Sequence, residues 1–346
     1  MSKPSPRILI VRLSAIGDVV HGLPVANALR AALPSALIAW AVEGRAGDLL
    51  AGHSALDEVV RLKRGWLKSS GEVLKLRRRL KTYQFDVAID LQGLSKSAIC
   101  ARLSGAKQRI GFARPDGREI STWLNNDLVP PTARHVVDRN LELLGRLGMA
   151  PSAATFHLPE APADTSAAEL IIERQQLAGG YAVINPGAGW PSKLWPPERF
   201  AAVARHLASA CGLPSLVVWA GEVERCAAEQ IVAEAPGCAQ LAPSTTLTEL
   251  AALARRARLF VASDTGPLHI AAAVGTPCVG LFGPMPAWRN GPYGPANIAV
   301  QNVCLAGSSR ERRRAGPQSM QAISAQEVCA ACDKLLARAN TAKRCA

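Results

Sequence analysis

Four short segments place reactive residue types where a strand-like run gives way to a helix-like one. The first, Arg12-Leu13-Ser14-Ala15-Ile16-Gly17-Asp18, puts a carboxylate at a helix start. The helix dipole stabilises a negative charge there, which makes Asp18 either a plain N-terminal acid or a general base that rests ionised. The second, Asp90-Leu91-Gln92-Gly93-Leu94-Ser95-Lys96-Ser97, sets Lys96 in a first helical turn, where a cation is misplaced unless an anionic ligand joins it. The third runs from Asn185 to Pro196. Its Gly187-Ala188-Gly189 lets a ligand approach the backbone, and Lys193 supplies a point charge suited to phosphate. The fourth is Ser263-Asp264-Thr265-Gly266-Pro267-Leu268-His269. There Asp264 and Thr265 can cap a helix whose first N–H groups face an anion, with His269 one turn further on.

The elements that must hold these segments alternate regularly. Strands are predicted at Arg7 to Val11, Ala36 to Ala41, Glu58 to Leu62, Val87 to Asp90 and Gln108 to Gly111. Helices are predicted near Ile16 to Ala32, Gly71 to Lys81, Ser95 to Leu103 and Val136 to Leu147. Met149 to Pro162, rich in Pro, Ala and Ser without periodicity, reads as a domain linker. The pattern then restarts, with strands at Ala182 to Asn185, Ser215 to Ala220, Leu259 to Ser263 and Pro277 to Phe282. Its helices are expected at Pro197 to Ala210, Val223 to Glu234, Leu247 to Arg256, Pro267 to Val274 and Ala325 to Arg338. Two doubly wound α/β halves are implied, with ligands at the carboxyl ends of parallel strands and a crevice between the halves. No GxGxxG follows the first strand, which argues against a dinucleotide site.

Composition narrows the classes. A chain of 346 residues with 49% hydrophobic content suits two domains with real cores. The 40 Lys and Arg residues against 27 Asp and Glu leave a net charge of +13, which attracts nucleic acid, anionic lipid or phosphorylated small molecules. Basic residues gather at Arg61 to Lys68, Lys75 to Lys81, Arg310 to Arg314 and Lys334 to Arg344, and each run also reads as a solvated helix face. Few aromatics interleave with them, and no zinc-finger, RRM or P-loop pattern is present. The nine cysteines are scattered as in a reducing compartment, and Cys329-Ala330-Ala331-Cys332 has no second pair to complete a zinc site. No apolar run approaches the roughly 20 residues that span a bilayer, and no signal-peptide pattern precedes the first strand. A cytoplasmic protein, docked peripherally on a membrane, is the expectation.

The strings Ile8 to Asp18, Asp90 to Ala98, Lys193-Leu194-Trp195-Pro196 and Asp264 to His269, in this order, resemble glycosyltransferase family 9, the ADP-heptose:lipopolysaccharide heptosyltransferases. The resemblance covers essentially the whole chain. Asp90-Leu91-Gln92-Gly93-Leu94-Ser95-Lys96-Ser97-Ala98 and Gly117-Arg118-Glu119 look most like the heptosyltransferase I branch. It implies the GT-B architecture: two Rossmann-like doubly wound parallel-sheet domains facing a cleft, with a C-terminal helix crossing back to the first. Residues 1–160 would form an acceptor domain, 161–324 a nucleotide-sugar donor domain, and 325–346 the returning helix.

The implied activity is inverting transfer of L-glycero-D-manno-heptose from ADP-heptose to the Kdo of lipid A–Kdo, at the cytoplasmic face of the inner membrane. Asp18 matches the family's general base. Lys193, Thr265 and Gly266 match phosphate-binding positions, with Ala188, Gly189, Asp264 and His269 beside them. Glu224 matches the carboxylate that grips the nucleoside, with Glu222 as the alternative. Arg64, Lys96 and Arg118 match the positive acceptor side. No cofactor and no metal are implied, and no Asp-x-Asp pair occurs in the chain. A monomer that binds no nucleic acid is expected. Two departures stand out. Ala188 and Gly189 replace hydroxyl residues of that branch, leaving Ser192 or the bare backbone to compensate. After Cys304 comes Leu305-Ala306-Gly307-Ser308-Ser309 and a basic run, where many relatives carry cysteines. The competing readings are a family transferase with another sugar or acceptor (heptosyltransferase II-like, for example), a nucleotide-sugar epimerase, and a polyanion or nucleic-acid binder.

Overall fold

The computed structural model describes residues 5–345, and the side chains of residues 5–338. The chain divides into two compact units, one ending at Pro159 and the other beginning at Glu160. The first holds β1 (Arg7–Val11), β2 (Leu37–Glu43), β3 (Glu58–Leu62), β4 (Val87–Asp90), β5 (Gln108–Phe112) and β6 (Asp127–Val129) in the order β3-β2-β1-β4-β5-β6. The second holds β7 (Ala182–Asn185), β8 (Ser215–Val217), β9 (Ala239–Leu241), β10 (Leu259–Ser263), β11 (Cys278–Leu281) and β12 (Ile298–Val300) in the order β12-β11-β10-β7-β8-β9. Every pairing is parallel.

Both orders are the same doubly wound pattern, with the chain reversing direction between β1 and β4 and again between β7 and β10. A crevice opens at the carboxyl ends of such strand pairs. The register fixes what lies there: Val11 pairs with Asp90, and Ala262 with Asn185. Both faces of each sheet are covered, as parallel sheets require. In β10, Leu259 and Val261 enter one core with Phe200 and Leu207, while Phe260 and Ala262 enter another with Tyr181 and Leu253.

Where structure and sequence differ, the cause is local. The three-residue strands β6, β9 and β12 give too few alternations to be read from sequence, whereas β8, equally short, is legible because its apolar run continues through Val218 and Trp219. The helix Pro162–Arg174 hides behind the Pro- and Ala-rich linker because Ala168 is its one fully buried side chain. Glu160 ties its start to the second unit, accepting from Arg256 Nη1 at 2.5 Å and Arg255 Nη1 at 3.2 Å. The helix expected over Val136 to Leu147 is α-helical to Glu142 and tightens into a 3₁₀ turn over Leu143–Leu147.

The opening turns of the last helix, Ala325–Cys345, belong to the second unit: Val328, Ala331, Cys332, Leu335 and Leu336 are built into its core. Those five recur at helical spacing and form an apolar stripe, and a stripe of that kind must be buried. The side chains of residues 339–345, and with them much of the basic tail expected from Lys334 to Arg344, lie outside the described residues. Among the described residues no helix is long and apolar enough to cross a membrane.

Trp195 joins the site-bearing loop after β7 to the segment that leads into this helix. Its ring, 2% exposed, packs edge-on against Phe200 with centroids 4.7 Å apart, and its Nε1 donates to the Ile323 carbonyl at 3.0 Å. Trp195→Ala leaves a large cavity and an unpaired carbonyl, and is expected to cost about 3–5 kcal/mol in urea unfolding. A loss below about 1 kcal/mol would show that this packing does not hold the segment.

Candidate active site

In the first unit the polar groups sit where β1, β2, β4 and β5 end. Arg12, the residue after β1, is buried and reaches Asp18 in the first turn of the helix Ile16–Ala32, with Nη2 to Oδ1 at 2.6 Å. The other Asp18 oxygen accepts the Ala15 N–H at 3.1 Å. Arg12 Nη1 also donates to the Leu91 carbonyl beyond β4, and the Leu13 N–H donates to Gln92 Oε1 at 2.9 Å. The carboxylate is therefore held at both oxygens while its side chain keeps 35% exposure, which suits a group that must meet a substrate. Arg12 is a positioning residue that sequence reasoning passed over. Its only signal was a charged residue directly after four apolar ones.

Lys96 does not wait for an anionic ligand. Its ammonium pairs with Glu43, the buried last residue of β2, and that carboxylate resolves the conflict with the helix dipole. Arg64 is exposed and lies over Gly44, next to Glu43. Arg118 is exposed on the loop after β5, and its N–H donates to the Gly93 carbonyl at 2.9 Å. That loop closes on Gly93 so tightly that a Cβ there would stand 2.6 Å from the Asp116 carbonyl oxygen. Glu119 accepts from the Ser95 N–H at 3.1 Å, fixing the loop against the start of the helix that carries Lys96. Asp90 is structural: fully buried, its carboxyl is pushed up by burial, and it accepts N–H groups from Gln92 and Gly93 and the Asn125 amide. Asp18, Lys96, Arg64 and Arg118 thus share one rim of one sheet.

The second unit gathers its groups where β7 and β10 end. Asp264 lies between two partners, with Oδ2 2.6 Å from Lys193 Nζ and Oδ1 3.3 Å from His269 Nε2. Burial pushes its carboxyl up, but the His269 contact and the Lys193 ammonium outweigh it, and the net direction is down. Asp264 is therefore an ionised anchor for a cation and an imidazole. Thr265 stands at the N-cap position of the helix Gly266–Ala273, but its side chain does not cap as expected: the hydroxyl turns to Asn185 Oδ1 at 3.5 Å, and the first N–H groups of that helix lack intrahelical partners. Lys193 Nζ also stands 4.4 Å from the centre of the Trp190 ring.

Glu224 is distinguished from Glu222 by position. Glu222 is exposed, whereas Glu224 folds back to accept the Ala220 N–H at 2.9 Å. Its carboxyl lies so close over Gly187 that a Cβ there would come within 2.2 Å of it, which explains the glycine. Burial pushes this carboxyl up against the pull of the Ala220 N–H. Ala188 and Gly189 continue the loop, Gly189 exposed with open space around it. Ser192 does not supply the missing hydroxyl on the open side: it is 1% exposed and its Oγ is buried. Asn185 and Trp190 are the residues here that sequence reasoning left without a role. Among the described residues no three His, Cys, Asp or Glu side chains group as metal ligands.

Residues 73–318 match the model of glycosyltransferase family 9 (heptosyltransferase). The chain is 31% identical over 306 residues to lipopolysaccharide heptosyltransferase 1 of Pseudomonas aeruginosa, covering 84% of this chain and 82% of that protein. Among solved structures, a family 9 glycosyltransferase from Veillonella parvula superposes with a TM-score of 0.84 at 22% identity, covering 98% of this chain and 99% of that one. The E. coli heptosyltransferase WaaC, solved with ADP-2-deoxy-2-fluoro heptose, superposes with a TM-score of 0.71 at 25% identity, covering 93% and 97%. The paired doubly wound sheets are thus the GT-B fold seen from both its halves. With a matched segment spanning most of its length and anchor residues at both strand-end rims, the chain belongs to glycosyltransferase family 9, and it is a glycosyltransferase.

Proposed function

We propose that the protein transfers L-glycero-D-manno-heptose from ADP-heptose to the Kdo of lipid A–Kdo in lipopolysaccharide core assembly, with inversion and without a metal. The observation that weighs most is Asp18, a carboxylate kept partly open to solvent yet held at both oxygens by Arg12 and the Ala15 N–H. The family membership and the likeness to lipopolysaccharide heptosyltransferase 1 support the sugar and the acceptor. The ADP-sugar analogue bound by the WaaC relative supports the nucleotide.

In this reading the acceptor hydroxyl attacks the anomeric carbon as the bond to the diphosphate breaks from the opposite face. The leaving ADP keeps the electron pair, and Asp18 takes the acceptor proton. That proton becomes acidic only as the new C–O bond forms, so an ordinary carboxylate suffices. The charge gathering on the diphosphate meets the first N–H groups of Gly266–Ala273 and the Lys193 ammonium. Those donors do what a metal does in transferases that carry an Asp-x-Asp pair, which this chain lacks. Glu224 accepts from the nucleoside hydroxyls. Arg64, Lys96 and Arg118 receive the anionic acceptor, Lys96 using the protons that Glu43 leaves free. The exposed basic side of the helix Ser70–Thr82, Lys75, Arg77 and Arg78, suits docking on the cytoplasmic face of an anionic membrane.

Asp18→Asn keeps the shape and removes the base, so turnover should fall about 100- to 10,000-fold while ADP affinity stays within about twofold. Near wild-type turnover in that variant would remove Asp18 from the mechanism. Heptose transfer should proceed at an unchanged rate after exhaustive EDTA treatment, and a strict requirement for a divalent cation would contradict the metal-free reading. Binding to vesicles of anionic lipid should weaken as salt rises from about 0.05 to 0.5 M, as surface charges become screened. Binding that salt does not affect would point away from an electrostatic dock.

A further inference from the structure

The basic run after the last strand lies against the donor site rather than apart from it. The short helix Ser309–Arg314 packs on the turn Pro191–Lys193. It is pinned there by its own residues: Ser308 Oγ accepts the Glu311 N–H at 3.3 Å, Glu311 accepts the Ser308 N–H at 2.5 Å, and Arg312 Nε donates to the Leu305 carbonyl at 2.9 Å. Glu311 and Arg312 are thereby engaged in holding the segment. Arg313 instead places its guanidinium 5.9 Å from the centre of the Trp190 ring, the same indole that Lys193 approaches to 4.4 Å.

Two cations on one indole are each stabilised by its π face and repel one another. Lys193 has Asp264 to balance it at 2.6 Å. Among the described residues no carboxylate forms an ion pair with Arg313, so an anion beside Trp190 would relieve the repulsion. The loop on this side also lacks side-chain donors, with Ala188 and Gly189 bearing none and Ser192 buried. A guanidinium fits the need, since its planar fork matches phosphate oxygens in pairs.

We propose that Arg313 is a donor-binding residue that contacts the diphosphate of the nucleotide sugar, standing in for the hydroxyls absent at positions 188 and 189. The inference rests on the ADP-sugar reading given above. Arg312 and Glu311 act as positioning residues, and the segment from Cys304 to Arg314 is an arm of the donor site.

The test is calorimetric titration of the full-length protein with ADP and with AMP at low and high salt, using wild type, Arg313→Gln, Arg313→Lys and, as reference, Lys193→Ala. Arg313→Gln should weaken ADP about tenfold at low salt and less at high salt, and AMP by a smaller factor, whereas Arg313→Lys, which keeps the charge but not the fork, should recover only part of the affinity. Unchanged thermal unfolding midpoints would exclude a folding defect, as an exposed side chain predicts. ADP affinity of Arg313→Gln within about twofold of wild type at low salt would overturn the proposal. So would a variant that binds ADP normally but loses binding to anionic vesicles, which would make the arm a membrane contact. Wild type that binds ADP while Arg313→Gln binds equally well sinks this inference alone. Wild type that binds no ADP sinks the donor reading with it.

Discussion

A parallel strand cannot turn straight back into its neighbour, so each strand of both sheets passes the chain to a helix or loop at its carboxyl end. That constraint collects the site. Arg12 follows β1, Glu43 ends β2, Asp90 ends β4, and the Arg118 loop follows β5. In the second unit Asn185 ends β7, the Ala220–Glu224 segment follows β8, and Asp264 follows β10. Residues far apart in sequence share a rim because the register aligns strand ends, as Val11 with Asp90 and Ala262 with Asn185.

Charge placement at these rims follows one scheme. Each site group that must keep a fixed position is tied to an opposite charge: Arg12 to Asp18, Lys96 to Glu43, Lys193 to Asp264. Pairs of this kind add little net stability because both partners lose water, but removing one partner leaves an uncompensated charge and is costly. Their effect is therefore on geometry. A lysine whose nitrogen is held by a buried aspartate cannot swing away through the many rotamers a free side chain explores. Asp264 does this twice, holding Lys193 and His269 at once.

The amphipathic elements were legible because their period is strong. The helices Ile16–Ala32, Ser95–Leu103 and Leu247–Arg256 begin and end where the apolar pattern and caps place them, the last closed by Thr246 and Glu249. The strands β6, β9 and β12 were not legible, since three residues carry no usable alternation and, unlike β8, they do not lie in a longer apolar run. Which core takes the opening turns of the last helix was not legible either. Its apolar stripe announces that it packs, but a stripe does not name its partner, and only the core around Trp195 and Phe200 does.

By itself the sequence determined the doubly wound class, the family, and the residue types at the strand-to-helix junctions, because these depend on local periodicity and on short strings such as Asp264 to His269. Tertiary structure alone decided how those residues are held. It assigned Arg12 to Asp18 and Glu43 to Lys96, folded Glu224 back onto the Ala220 N–H, buried Ser192, and laid the basic helix Ser309–Arg314 beside Trp190. Such pairings join positions separated by up to about a hundred and twenty residues, as Trp190 and Arg313 are. The long-range ones, Glu43 with Lys96 and Trp190 with Arg313, follow from how strand order and packing bring distant segments together, which no local pattern encodes.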